Sequence, residues 1–185
     1  MSTVLGHSYS FKFPIYLFSS VGIPIEESAS PQFISLAQKA RHKTLNIYLA
    51  DDDSDDRDIF RDALAESVSG INLELAINGK NLISLLESSN PKPDIIFLDL
   101  NMPLKNGFEC LEEIRKNKEL KSLPIVIYST TSNPEQVKKT LIYGANLFWQ
   151  KPSDFNSIKK MLHKILHMPF DNYLPKAKKE HFILK

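Results

Sequence analysis

The sequence predicts an α/β fold, a doubly wound five-stranded parallel sheet with helices on both faces. Three observations point to it. Short apolar runs recur at 45–50, 95–98, 125–128 and 147–149, and continuous runs of this length read as parallel strands buried on both faces. Stretches of helical period lie between the runs, as crossovers between parallel strands require. Polar groups follow each run, directly or after one residue: Asp51-Asp52, Asp99, Ser129-Thr130 and Lys151-Pro152. The carboxyl ends of parallel strands share one edge, where ligands bind. Three carboxylates, a hydroxyl and a lysine are therefore expected to converge there.

The elements follow in order. After the first strand, a helix over about 54–67 sets Ile59, Phe60, Ala63 and Leu64 on one face. Residues 71–77 read as the second strand, and Asn78-Gly79 as the turn into a helix near 80–88. Pro91 and Pro93 punctuate the chain before the strand that ends at Asp99. A helix near 107–117, the Ser129 strand, a helix near 134–143, the Phe148 strand and a last helix near 155–167 complete the pattern. In that last helix Phe155, Ile158, Leu162 and Ile165 form the apolar stripe. By strand alternation Trp149 points away from the face of Phe148 and is expected to pack in the core.

Domain organisation is read from composition. Residues 1–43 form an extension with Pro14, Pro24 and Pro31, few charges and a Ser-rich patch, expected to be weakly ordered. Within it only Ser30-Pro31 signals a helix start, with serine as cap and proline at the first turn, running to about Ala40. The α/β domain spans 44–168, and 169–185 is a tail with a solvated basic run from Lys176 to Lys179. These residues read as a flexible extension, a partner-binding arm or translation from an upstream start that the native protein does not use.

Charge and cysteine usage exclude several classes. Twenty-three Lys and Arg nearly balance twenty-two Asp and Glu, so no global field favours nucleic acid or an anionic membrane. No apolar run reaches the length of about 18 residues that a membrane span needs. The stretch 11–25 is apolar, but Lys12, Pro14 and Pro24 interrupt it and no small-residue cleavage site follows, which argues against export. A lone cysteine, Cys110, forms no internal disulfide and fits a reducing, cytoplasmic compartment.

The chemistry follows from crowding. Three aspartates at one edge repel one another, which raises their proton affinity in the absence of a cation. Magnesium relieves this with one or two carboxylates, waters and a phosphate oxygen. Lys151, being protonated, holds an anion rather than the metal, and a carboxylate such as Asp99 can act as nucleophile to form an acyl phosphate. The Ser129 hydroxyl is suited to hydrogen-bond the phosphoryl oxygen.

These motifs resemble the receiver domains of two-component response regulators over about 45–168. Asp51-Asp52 looks like the family's acidic pair, Asp99 within Asp99-Leu100-Asn101-Met102-Pro103 like its phosphoacceptor segment, and Gly107 like the glycine closing the next loop. Ser129 resembles the switch residue, Phe148 the switch aromatic, and Lys151-Pro152 the lysine with its cis-proline. Ser129 and Lys151 follow Asp99 by 30 and 52 residues, spacings usual for the family. The resemblance implies a flavodoxin-like strand order 2-1-3-4-5. It implies Mg2+ held by Asp52, Asp99 and the Asn101 backbone carbonyl, with Asp51 acting through a water. It further implies a stand-alone signalling module, not an enzyme, phosphorylated by a histidine kinase or histidine phosphotransfer protein. A downstream protein target would be read through the face of the fourth helix, fifth strand and fifth helix, with the chain a monomer or weak dimer.

Other readings stand beside these. Asp53, Asp55, Asp56 and Asp58 read as a solvated first helical turn, and ordinary packing would also account for Phe148. His163 and His167 share a helix face but show no third metal ligand. Cys110 has no recognised base nearby. A magnesium-dependent phosphatase of the haloacid dehalogenase type would want an acid where Asn101 stands and its nucleophile on the first strand. A pseudo-receiver would have lost an acid or the lysine.

Overall fold

A computed structural model of the chain describes residues 44–168 and 182–184. The chain divides into two units, Met1–His42 and Lys43–Lys185, and the described residues belong to the second. The expected helix at 30–40 and the basic run at 176–179 lie outside them.

Five strands, β1 (Leu45–Ala50), β2 (Ile71–Ala76), β3 (Ile95–Leu98), β4 (Ile125–Ser129) and β5 (Leu147–Gln150), alternate with five helices. The helices are α1 (Ser54–Ser67), α2 (Gly79–Ser88), α3 (Gly107–Lys116), α4 (Pro134–Ile142) and α5 (Phe155–Leu166). Each helix starts on an Asx cap, Asp53, Asn78, Asn106, Asn133 or Asp154, whose side chain accepts from first-turn N–H groups. At α3 the cap is reciprocal, since Glu109 also accepts from the Asn106 N–H. Pro134 opens α4 in the first turn, where its missing N–H costs nothing.

The sheet is parallel throughout, with β1 between β2 and β3, in the order β2-β1-β3-β4-β5-β6. Strand alternation divides the core into two layers. Ile47, Leu49, Phe97, Tyr128 and Trp149 pack with Phe60 and Leu64 of α1 and Ile158, Leu162 and Ile165 of α5. Tyr48, Ala50, Ile96, Leu98, Ile127 and Phe148 pack with residues of α2, α3 and α4. Trp149 is buried opposite Phe148, its ring 4.5 Å from that of Tyr128.

Three details depart from expectation. The sheet gains a sixth strand, β6 (Ile183–Leu184), inside the segment read as a tail. The Phe148 N–H donates to the Phe182 carbonyl at 2.7 Å, and Phe182 and Leu184 are buried, one in each core layer. An edge strand offers unpaired N–H and C=O groups, and even a two-residue segment satisfies some of them. Ile59 is 43% exposed, at the flank of the α1 stripe that Phe60, Ala63 and Leu64 occupy. Ile77 leaves the sheet because its N–H donates to the Asn81 side chain rather than to β1, and the residue is exposed. Among the described residues no helix is long and apolar enough to cross a membrane.

Candidate functional site

The strand order reverses direction between β1 and β3, the point at which parallel sheets open a crevice at their carboxyl edge. Backbone bonds carry the site residues just past the strand ends. The Asp51 N–H donates to the Ala76 carbonyl of β2 at 3.0 Å, and the Asp99 N–H to the Ala50 carbonyl of β1 at 2.9 Å. The Lys151 N–H donates to the Ser129 carbonyl at 2.9 Å, which sets the lysine beside the end of β4.

The loop after Asp99 turns back tightly. The Gly107 N–H donates to the Leu100 carbonyl at 3.0 Å. A Cβ on Gly107 would stand 2.2 Å from the Asp99 carbonyl oxygen and 2.8 Å from Leu100 Cα, so only glycine lets α3 start against that backbone. Within the loop the Asn101 N–H donates to Asp99 Oδ2 at 2.9 Å, which fixes the carboxylate plane.

Carboxylate oxygens of Asp51, Asp52 and Asp99 lie within 4.8 Å of one another. Asp51 and Asp99 are 1% and 5% exposed, whereas Asp52 faces solvent. Asp51 Oδ1 accepts from the Asp53 N–H and its Oδ2 from Lys151 Nζ at 2.7 Å. Burial, opposed by the bond from Lys151, pushes the Asp51 carboxyl up to about 6. Repulsion by Asp99 adds to that rise but is a lesser cause. Crowding among the three acids, expected to dominate at Asp51, is thus second to desolvation. For Lys151 burial works against the charge, but the bonds to Asp51 and Asp56 prevail and raise its pKa.

The three acids form a close, oxygen-only donor set, two of them buried, which suits a hard divalent cation. Lys151 Nζ lies 4.0 Å from Asp99 Oδ1, outside hydrogen-bond range but close enough to reach an anion built on that oxygen. Ser129 Oγ is buried and has no hydrogen-bond partner among the described residues, and a buried hydroxyl left so points to a ligand that completes it.

Five of the residues singled out from sequence therefore meet at one edge: Asp51, Asp52, Asp99, Ser129 and Lys151. Phe148 is buried against the α2–α4 layer, so its side chain packs in the core. The peptide bond before Pro152 is trans, contrary to the cis geometry the resemblance implied; among the described residues the cis bond is Asn90–Pro91. Burial pushes the Cys110 thiol up to about 12, leaving it inert. The rings of His163 and His167 stack 4.0 Å apart, and no third ligand joins them among the described residues.

Asp53, Asp55 and Asp58 are solvent-exposed as expected of a first turn, but Asp56 is not simply solvated. Its Oδ2 accepts from Lys151 Nζ at 2.6 Å. The available signal was position. With Asp53 as cap, Asp56 is the third residue of α1, and helical side chains lean toward the N-terminus, here toward the sheet edge. Arg57 was also missed; its guanidinium donates to the Asp51 carbonyl at 2.8 Å.

Comparison with known proteins agrees with this geometry. Residues 47–163 match the Response regulator receiver domain family. The chain is 29% identical over 124 residues to Response regulator Rcp1 of Synechocystis, covering 64% of this chain and 84% of that one. It is 29% identical over 133 residues to the two-component response regulator ARR17 of Arabidopsis thaliana, covering 66% and 86%. Among solved structures, the Mn(2+)-bound form of Rcp1 superposes with TM-score 0.60 at 28% identity, over 65% of this chain and 91% of that one. The phosphorylated cyanobacterial phytochrome response regulator RcpA gives 0.61 at 27%, over 65% and 90%. Receivers are signalling modules. The chain belongs to the response regulator receiver domain family and is a phosphorylation-dependent response regulator.

Proposed function

We propose that Asp99 is the residue that takes the phosphoryl group, from a phosphohistidine of a histidine kinase or histidine phosphotransfer protein. The observation that carries this is the state of its carboxylate. Oδ2 is fixed by the Asn101 N–H at 2.9 Å, while Oδ1 faces Lys151 Nζ at 4.0 Å across a gap. An Asp99 oxygen attacks phosphorus, the bond to the donor nitrogen breaks, and the imidazole leaves with its electron pair and takes a proton. The product is an acyl phosphate.

Asp52, Asp99 and the Asn101 backbone carbonyl would hold Mg2+ directly, and Asp51 through a water. When bound, the cation neutralises charge on the transferring oxygens. Lys151 holds one phosphoryl oxygen, and the unpartnered Ser129 hydroxyl turns to donate to another. That movement, with Phe148 repacking beside it, shifts an existing equilibrium toward the active conformer. The output is protein contact through α4, β5 and α5, a face on which Ile142 is 72% exposed. The balanced charge gives nucleic acid and membranes no part in this reading. The chain works in the cytoplasm as a switch, monomeric or weakly dimeric, rather than as a turnover enzyme.

Incubation with acetyl phosphate and Mg2+, read by intact mass, tests the assignment. The wild-type chain gains one phosphoryl group and Asp99→Asn gains none while keeping its fold. Equal labelling of Asp99→Asn would refute it.

A further inference from the structure

Lys151 is shared unequally among three carboxylates. Its ammonium lies 2.6 Å from Asp56 Oδ2, 2.7 Å from Asp51 Oδ2 and 4.0 Å from Asp99 Oδ1. Two of its three donors are thus committed away from Asp99, and the side chain is only 8% exposed, so solvent does little to loosen those bonds. Asp56 differs from the other two acids. It stands outside the group of carboxylates close enough to share a cation, so a bound metal would leave its charge unneutralised.

The helix start keeps Asp56 in place. Asp53 Oδ1 accepts from the N–H groups of Asp55 and Asp56 at 2.8 and 3.4 Å, which locks the first turn of α1 over the sheet edge. The Asp56 side chain is 35% exposed, so water reaches it whether or not Lys151 is on it. A lysine leaving Asp56 for a phosphoryl oxygen gives up a short charge-assisted bond, and it leaves behind an anion facing an anionic donor.

We infer that Asp56 is a positioning residue that holds Lys151 away from Asp99 and thereby slows phosphoryl transfer to it. The inference rests on Asp99 being the phosphoacceptor. Asp56 sets the resting position of Lys151 and adds a negative charge that repels the donor in proportion to the donor's own charge. Both effects act on the rate of phosphorylation, and neither requires Asp56 to touch the reacting atoms.

The test compares wild type, Asp56→Asn and Asp56→Glu at saturating Mg2+, with doubly charged acetyl phosphate and singly charged phosphoramidate as donors and labelling of Asp99 read by mass. Asp56→Asn is expected to label about fivefold faster with acetyl phosphate, the relief of one carboxylate across a solvated site. The gain is smaller with phosphoramidate, and Asp56→Glu returns to the wild-type rate. Loss of a merely structural helix-start charge would change thermal stability but not the ratio of rates between the two donors. If wild type labels on Asp99 and Asp56→Asn labels no faster, or speeds equally with both donors, the role of Asp56 is refuted and the phosphoacceptor assignment stands. If wild type takes no phosphate on Asp99, the phosphoacceptor assignment fails, and this inference with it.

Discussion

In the metal-free protein, Asp51→Asn should flatten the pH dependence of stability between about pH 4 and pH 6. The folded chain holds the Asp51 carboxyl up to about 6 against 3.8 for the free group. Because the native state binds the proton more tightly than the unfolded chain, this group favours folding fully below about pH 4, and that contribution is lost as pH rises through about 6. At 1.36 kcal/mol per pH unit, the loss amounts to about 3 kcal/mol. Little of it is discounted for solvent, since Asp51 is 1% exposed.

Glu112 and Asp154 are held low, by Lys116 and by the Ser157 hydroxyl and N–H, and act in the opposite direction. The informative quantity is therefore the difference between variant and wild type. Urea unfolding with a chelator present, at pH 4, 5, 6 and 7, should show that difference moving by about 3 kcal/mol in favour of Asp51→Asn. Adding a divalent cation at pH 7 should stabilise the wild type and do much less at pH 4, where the proton competes for the same oxygens. A difference that stays constant from pH 4 to pH 7 would refute burial as the cause of the raised proton affinity.

Three further outcomes follow from the same geometry. Asp52→Ala should weaken divalent-cation binding and Asp99 labelling together while leaving the metal-free melting temperature unchanged or higher, because Asp52 is exposed and adds only like charge to the cluster; a clear loss of metal-free stability would point to a structural role instead. Arg115→Ala should lower unfolding stability by about 2 kcal/mol in urea titrations without changing labelling. Its half-buried guanidinium, whose pKa burial lowers to about 10, donates to the carbonyls of Lys121, Leu123 and Gly144 and to Asn146 Oδ1. A chain beginning at Lys43 should take phosphate from acetyl phosphate at close to the full-length rate, since every proposed site residue lies at or after Asp51; a truncated chain that folds but stays unlabelled would place the working boundary elsewhere.

The strands of this domain and the residues at their ends were determined by local sequence. β1, β3, β4 and β5 are largely apolar runs because each is covered on both faces of the sheet. The helix starts were equally local, since an Asx side chain caps the turn it begins. Asp51, Asp52, Asp99, Ser129 and Lys151 could be placed together because all parallel strands end at the same edge.

What needed the tertiary structure was whatever depends on a neighbour distant in the chain. β6 has too few residues to show a period, and it forms because β5 leaves an edge to be paired. Arg115 reads in sequence as one more helical cation, and only the approach of the loops before β4 and β5 turns it into a half-buried tie. Asp56 read as one of several solvated acids until the fold brought Lys151, 95 residues away, to 2.6 Å from it. A charged side chain acquires its role from the partner that the fold brings to it, and that partner lies beyond the reach of any local pattern.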